Sequence, residues 1–92
     1  MSPYIRKDER KAYDNLVTEI EKNLASVVRE NFSGHLNYVI TKLISEIIYR
    51  WPQNYDFFNT IVGVLDNVKD EFKRRILNPY EDYKIKENGD VY

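Results

Sequence analysis

The chain has 92 residues, of which 42% are hydrophobic, 32% are charged and none is cysteine, and its formal net charge is −1. A chain of this length and composition can build one hydrophobic core and is expected to be a single domain. The lack of cysteine excludes disulfides, thiolate metal sites and thiol catalysis. The balanced charge gives no general attraction for duplex nucleic acid or an anionic membrane.

The N-terminus lacks the apolar segment of a signal peptide, and no apolar run approaches the 18 residues of a membrane span. We therefore expect a soluble protein in the cytoplasm, with no membrane partner. If a phage encodes it, the compartment is the host cytoplasm.

The first predicted element is a helix that begins between residues 7 and 9. Before it, Pro3 lacks an amide hydrogen and disfavours helix at Ser2, which predicts a short extended arm. Apolar residues then recur at steps of three and four, as expected for a buried helix face: Tyr13, Leu16, Val17, Ile20, Leu24, Val27 and Val28. A turn at residues 31–34 follows, with Ser33 as the predicted N-cap of the next helix.

Residues 36–51 have the strongest helical pattern in the sequence. At 100° per residue, their apolar side chains cover about half of the helix circumference. This width predicts a central helix with neighbours on two sides. Near Ile48 and Trp51, a partner subunit could supply part of that cover. Pro52 ends the helix.

A third helix is predicted over residues 55–77, with mostly apolar residues on its inner side. Both connections between the helices are short, so consecutive helices are expected to be antiparallel neighbours. The predicted fold class is all-α, as an antiparallel three-helix bundle.

The helical period stops at Asn78 and Pro79. Residues 84–86 alternate between polar and apolar, and the pair Asn88-Gly89 is typical of a two-residue hairpin turn. These features predict a short extended or hairpin C-terminal tail. We therefore divide the chain into a three-helix domain, residues 1–78, and a tail, residues 79–92, packed on the bundle or on a partner subunit.

Few residues suggest metal binding or catalysis. His35 is the single histidine and lies outside any metal-binding motif, which favours an ordinary surface residue. Asp66 and Asp70 share one helix face, but the neighbouring Lys69 and Lys73 predict an ion-paired surface instead. We expect no enzyme, no cofactor and no metal.

The most suggestive set of side chains is basic and aromatic. Guanidinium groups bind phosphates and tyrosine rings stack on bases, as a nucleotide or single-stranded nucleic acid would require. The candidate ligand-binding residues are Arg74, Arg75, Tyr80, Tyr83, Lys84 and Lys86. Nearby carboxylates cancel much of this charge. The favoured alternative is that the arginines complete a helix while the tyrosines hold the tail in place.

A second candidate set lies at one edge of the central helix. Asn37, Tyr38 and Thr41 are close in helical spacing and could line a pocket or a contact between helices. The favoured alternative is an ordinary polar boundary covered by tyrosine rings.

Two segments resemble a family of short uncharacterised proteins of bacteriophages and bacteria. The segments are GHLNYVITKL, residues 34–43, and PYEDYKIKENGDVY, residues 79–92. The family has a GELNY-type helix start, a GVL in the third helix and a terminal PYED…NGDVY. His35 replaces the usual Glu, which weakens any role tied to a carboxylate there. The resemblance implies a phage setting and directs attention to the C-terminal segment, without implying an activity.

These observations lead to two functional hypotheses. The first is a non-enzymatic, homo-oligomeric binding protein of phage type, which captures a nucleotide-like signal or a host protein through the end of the third helix and the tail. The second is a structural or protein–protein interaction module whose tail mediates subunit assembly.

Overall fold

The computed structural model describes residues 2–92, and all regular elements in this range are helical. The all-α prediction is therefore confirmed. The chain forms two units, of which one comprises Tyr4–Asn54 and the other is built on Tyr55–Tyr92. The antiparallel bundle of three helices stays a prediction.

The first unit contains helix α1, Lys7–Ala25, and helix α2, Phe32–Ile47. A short 3₁₀ turn precedes α2 and another follows it. Because the first of these turns leads directly into α2, the helix begins at Phe32, and Ser33 and Gly34 lie within its first turn. The prediction of Ser33 as N-cap is therefore wrong.

The second unit contains helix α3, Tyr55–Phe72, and helix α4, Asn78–Asn88. A π-helical turn, Lys73–Leu77, joins them. Residues 55–88 thus form one continuous helix, named here the α3–α4 rod, about 51 Å long at 1.5 Å per residue.

The prediction of an extended or hairpin tail is wrong for residues 79–88, which are helical. In an α-helix, Pro79 would clash with the carbonyl group four residues before it. The π turn changes the register, since the Asn78 N–H donates to the Lys73 carbonyl oxygen, five residues back. Pro79 then falls in the first turn of α4, where its missing N–H costs little. The helix consequently crosses the predicted boundary between residues 78 and 79 without a break.

Gly89 ends α4. Its φ is 93°, and its N–H donates to the Ile85 carbonyl oxygen at 2.8 Å. The Asn88-Gly89 pair is therefore a helix stop, which is another common use of glycine, rather than a hairpin turn.

None of residues 2–92 is buried. The partly sheltered residues include apolar positions on the predicted inner helix faces, such as Leu36, Ile44 and Ile61. Other positions on these predicted faces, such as Leu16 and Val68, are exposed, so no enclosed core forms from the faces within either unit.

Candidate functional site

The basic and aromatic candidates lie along the second half of the α3–α4 rod. Arg74 and Arg75 belong to the π turn. The other four candidates lie in α4, which was predicted as tail: Tyr80, Tyr83, Lys84 and Lys86. Their side chains are consequently placed by helix geometry and not by a hairpin.

The guanidinium group of Arg74 is already engaged by a carboxylate on its own helix. Its Nε and Nη2 atoms each lie 3.2 Å from an oxygen of Glu71, in a bidentate arrangement. A phosphate would have to compete with this pair for the same planar set of donors. Arg74 is therefore a weaker phosphate ligand than its sequence position indicated.

Lys84 contacts two residues of its own helix. Its Nζ lies 5.7 Å from the centroid of the Tyr80 ring and 3.8 Å from Glu87 Oε2. Tyr80, Tyr83 and Lys84 are spaced by three and four residues, so they share one face of α4. This face combines two tyrosine rings with one ammonium group.

The six candidates do not converge on one site. Arg74 and Lys86 are about 18 Å apart along the helix axis, at 1.5 Å per residue. Lys86 is also about 200° around the helix from Lys84, at 100° per residue. A depression of 330 Å³ at the end of α4 includes only Lys84 among the six, and it is lined by Glu81, Lys84, Ile85, Gly89, Asp90, Val91 and Tyr92. The carboxylates of Glu81 and Asp90 at this depression would repel an anionic ligand.

The structure does bring the second candidate set together. The Thr41 hydroxyl donates to Asn37 Oδ1 at 2.9 Å. Asn37, Tyr38 and Thr41 line an open concavity of 460 Å³ at the start of α2, with Ser33 and Gly34 completing its wall. Because Asn37 Oδ1 accepts this bond, the amide Nδ2 is the donor that it presents to a ligand.

Ser33 and Gly34 were missed as members of this concavity, although their spacing indicates it. Gly34 precedes Asn37 by three residues and Tyr38 by four, so all three lie on one helix face. An N-cap lies before the first helical turn, so the prediction of Ser33 as N-cap placed Ser33 and Gly34 outside this helix face.

Sequence reasoning also missed an apolar groove. It measures 410 Å³ and lies between α1 and the start of α2, lined by Val17, Ile20, Glu21, Leu24, Ala25 and Phe32. Most of these residues were assigned to a closed core. The groove is open instead, because Val17 keeps 59% of its surface exposed and Ile20 keeps 40%.

The remaining polar candidates are Asp66, Asp70 and His35. Asp66 Oδ1 lies 3.9 Å from Lys69 Nζ, as expected for an ion-paired helix surface. His35 contributes, with Gly34 and Tyr38, to a second depression beside the concavity. Within residues 2–92, no three His, Cys, Asp or Glu side chains are grouped so that they could hold a metal ion.

One titratable side chain beside the concavity is perturbed. The pKa of Lys42 is raised above its ordinary value of 10.5, first by its hydrogen bond to Glu46 and then by the charge of that carboxylate. Lys42 Nζ lies 3.0 Å from Glu46 Oε1. Lys42 is therefore a firmly protonated cation one helical turn beyond Tyr38.

The fold and these surfaces define a small all-helical protein with exposed apolar faces, two open depressions at the start of α2 and an open apolar groove beside α1. In the described part of the chain, no helix combines the length and apolarity that a membrane span requires. The chain belongs to the family Domain of unknown function (DUF6899), whose family model matches residues 1–91. No curated protein and no solved structure matches it.

Proposed function

We propose that this chain is a non-enzymatic binding protein of the cytoplasm that works as a homo-oligomer, assembled through its apolar helix faces. One observation carries the proposal: none of residues 2–92 is buried, although the helices have wide apolar faces. As isolated helices, α1 with 19 residues and α2 with 16 are only marginally stable in water without tertiary packing. The apolar faces therefore need cover before the helices are stable.

The exposed apolar side chains of the helices support an interface between copies. Leu16 and Val17 of α1 keep 62% and 59% of their surface exposed, and Phe72 and Ile76 of the rod keep 58% and 57%. A standard interface buries about 800 Å² per partner, and obligate oligomers bury more. An interface of that kind would cover these side chains and couple folding to association.

Coupled folding and association have a direct signature. Thermal unfolding of the wild-type chain should shift to higher temperature as the protein concentration rises a hundredfold, because mass action favours the oligomer. Far-UV circular dichroism at each concentration measures the transition. A midpoint that is independent of concentration, with full helicity at the lowest concentration, would contradict the proposal.

A second candidate function is the capture of a nucleotide-like ligand. The shared face of Tyr80, Tyr83 and Lys84 favours it, because two rings and one cation suit stacking next to a phosphate. The wide spacing of the other basic candidates and the carboxylates near Lys84 oppose it. In this account the oligomer would have to bring basic groups from different copies together.

Thermal-shift screening with mono-, di- and cyclic nucleotides tests this candidate. Stabilisation that is lost on combining Tyr80→Ala with Lys84→Ala, and kept with Lys86→Ala on the other side of α4, would support it. Combining Arg74→Ala with Arg75→Ala tests the π turn separately. If none of the nucleotides stabilises the chain, nucleotide capture is excluded, and binding of a host protein becomes the alternative use of the oligomer.

A further inference from the structure

We propose that Pro79 is a positioning residue, which sets the rotation of α4 through the π turn so that Tyr80 and Tyr83 continue the apolar face of α3. The inference concerns the α3–α4 rod alone and holds whether the chain works as an oligomer or captures a ligand. Two observations lead to it: the hydrogen bond that defines the π turn, and the residues that each helical register would place in line with α3.

The face of α3 that continues into the π turn is narrow and wholly apolar. At 100° per residue, its side chains fall within an arc of about 100°: Phe57, Ile61, Val64, Leu65, Val68 and Phe72. No polar side chain of α3 falls within the same arc. Each residue that continues this arc beyond Phe72 therefore either extends the apolar face or interrupts it.

An unbroken α-helix would interrupt this face. Counted onward from α3 at the same rotation per residue, the arc would receive the following residues, the last of them at its edge: Arg75, Pro79, Asp82, Lys86 and Tyr83. Three of these side chains are charged. Pro79 would also clash with the Arg75 carbonyl group, four residues before it. The α register is therefore unfavourable for the face as well as for the backbone.

The π turn changes the register by one residue. The Asn78 N–H donates to the Lys73 carbonyl oxygen, five residues back instead of four, so the residues after the turn lag by about 100°. In place of Arg75, Pro79 and Asp82, the arc then receives the residue that follows each of them: Ile76, Tyr80 and Tyr83. One apolar and two aromatic side chains thus replace two charged residues and the proline.

The surface that results is aromatic and exposed. Ile76, Tyr80 and Tyr83 each keep more than half of their surface exposed. Lys84 lies at the edge of the same arc, and its ammonium group contacts both the Tyr80 ring and the Glu87 carboxylate. The two tyrosine rings and the apolar face of α3 therefore form one surface along the same side of the rod.

Pro79→Ala tests this role through the identity of one hydrogen bond. Without the ring, the segment can adopt the α register, in which the Asn78 N–H donates to the Arg74 carbonyl oxygen. In NMR spectra of the full-length chain, the scalar coupling across this bond should link the Asn78 nitrogen to the Lys73 carbonyl carbon in wild type and to that of Arg74 in the variant. The helix persists in either register, so helicity should stay the same. Pro3→Ala is the control and should keep the wild-type coupling.

A side-chain contact reports the rotation of α4. In the π register Leu77 lies about 40° around the helix from Phe72, as neighbours one turn apart do, whereas in the α register the angle is about 140°. A nuclear Overhauser effect between the Phe72 ring and the Leu77 methyl groups should therefore be present in wild type and lost in Pro79→Ala. The contact between Tyr80 and Lys84 lies wholly after the turn and should be kept in both chains.

A deletion separates the rotation of α4 from the geometry of the π turn. Removing Arg75 from the Pro79→Ala variant shortens the segment by one residue, so an unbroken α-helix returns α4 to its original rotation. The effect between Phe72 and Leu77 should reappear in this deletion variant, although no π turn remains.

The contrary outcomes are distinct. A Pro79→Ala variant that keeps both the hydrogen bond to Lys73 and the contact between Phe72 and Leu77 overturns the inference, because Pro79 would then not set the rotation. A deletion variant that fails to regain the contact also overturns it. Neither result depends on association between copies, so the proposed homo-oligomer is tested separately, by the dependence of unfolding on concentration.

Discussion

Among residues 2–92, Gly89 alone has a positive φ. Its φ of 93° and ψ of 146° lie in a region that is nearly restricted to glycine. Gly34, by contrast, has a helical position in α2, and a Cβ added there would meet no atom within 4 Å. Substitution by alanine is therefore expected to have opposite effects on stability at the two glycines.

Gly89→Ala should destabilise the end of α4 by about 1–3 kcal/mol, because alanine is strained in this conformation. Gly34→Ala should stabilise the protein by roughly 0.5–1 kcal/mol, because alanine loses less backbone entropy in a helix. Urea unfolding of both variants measures the two changes. A neutral Gly89→Ala, or a destabilising Gly34→Ala, would contradict the local structure at that residue.

At the scale of single residues, the sequence identifies pairs of side chains that helix geometry brings into contact. Asn37 and Thr41 are four residues apart, and their side chains are hydrogen-bonded. The pattern could not show that Glu71 engages Arg74, since several carboxylates are near enough in sequence to compete for that guanidinium group.

At the scale of elements, α4 is the main departure from the predicted structure. The periodicity located the first and third helices because apolar residues repeat over several turns. Pro79 and the Asn88-Gly89 pair were given their usual local interpretation, as a helix stop and a hairpin turn. A π turn depends on a register change that no single residue type signals, so its accommodation of Pro79 could not be predicted.

Pro79→Ala tests the continuous α3–α4 rod. Because Pro79 lies in the first turn of α4, where its missing N–H costs little, alanine should change the free energy of unfolding by less than about 0.5 kcal/mol. Amide hydrogen exchange across α4 should therefore be slow in the wild-type chain and nearly the same in the variant. Pro3→Ala, before α1, is the control and should leave exchange in α4 unchanged. Extended chemical shifts over residues 79–88 in the wild-type chain would contradict the helix.

At the scale of the whole molecule, the sequence indicates which faces are apolar but not what covers them. The width of the α2 face already indicated two neighbours, one of which could belong to a partner subunit. Helical periodicity identifies a face without identifying its partner, because an intrachain and an intersubunit contact require the same pattern of residues. The arrangement of the helices could therefore not be derived from it.

Leu16→Gln distinguishes an uncovered apolar face from a covered one. Leu16 keeps 62% of its surface exposed in the single chain, where this substitution should change stability by less than about 0.5 kcal/mol. If a second copy covers this face, glutamine should cost about 1–3 kcal/mol and weaken association, because its amide is buried without a partner. Lys22→Gln, on the opposite side of α1, is the control and should be nearly neutral in chemical denaturation.

The most direct test of the central claim is the mass of the wild-type chain in solution. Sedimentation equilibrium at micromolar concentrations should give a whole multiple of the 11.1 kDa chain mass. Dilution should produce dissociation together with loss of helicity, because the helices depend on the interface. A single species of 11.1 kDa with undiminished helicity across the dilution series would contradict the account.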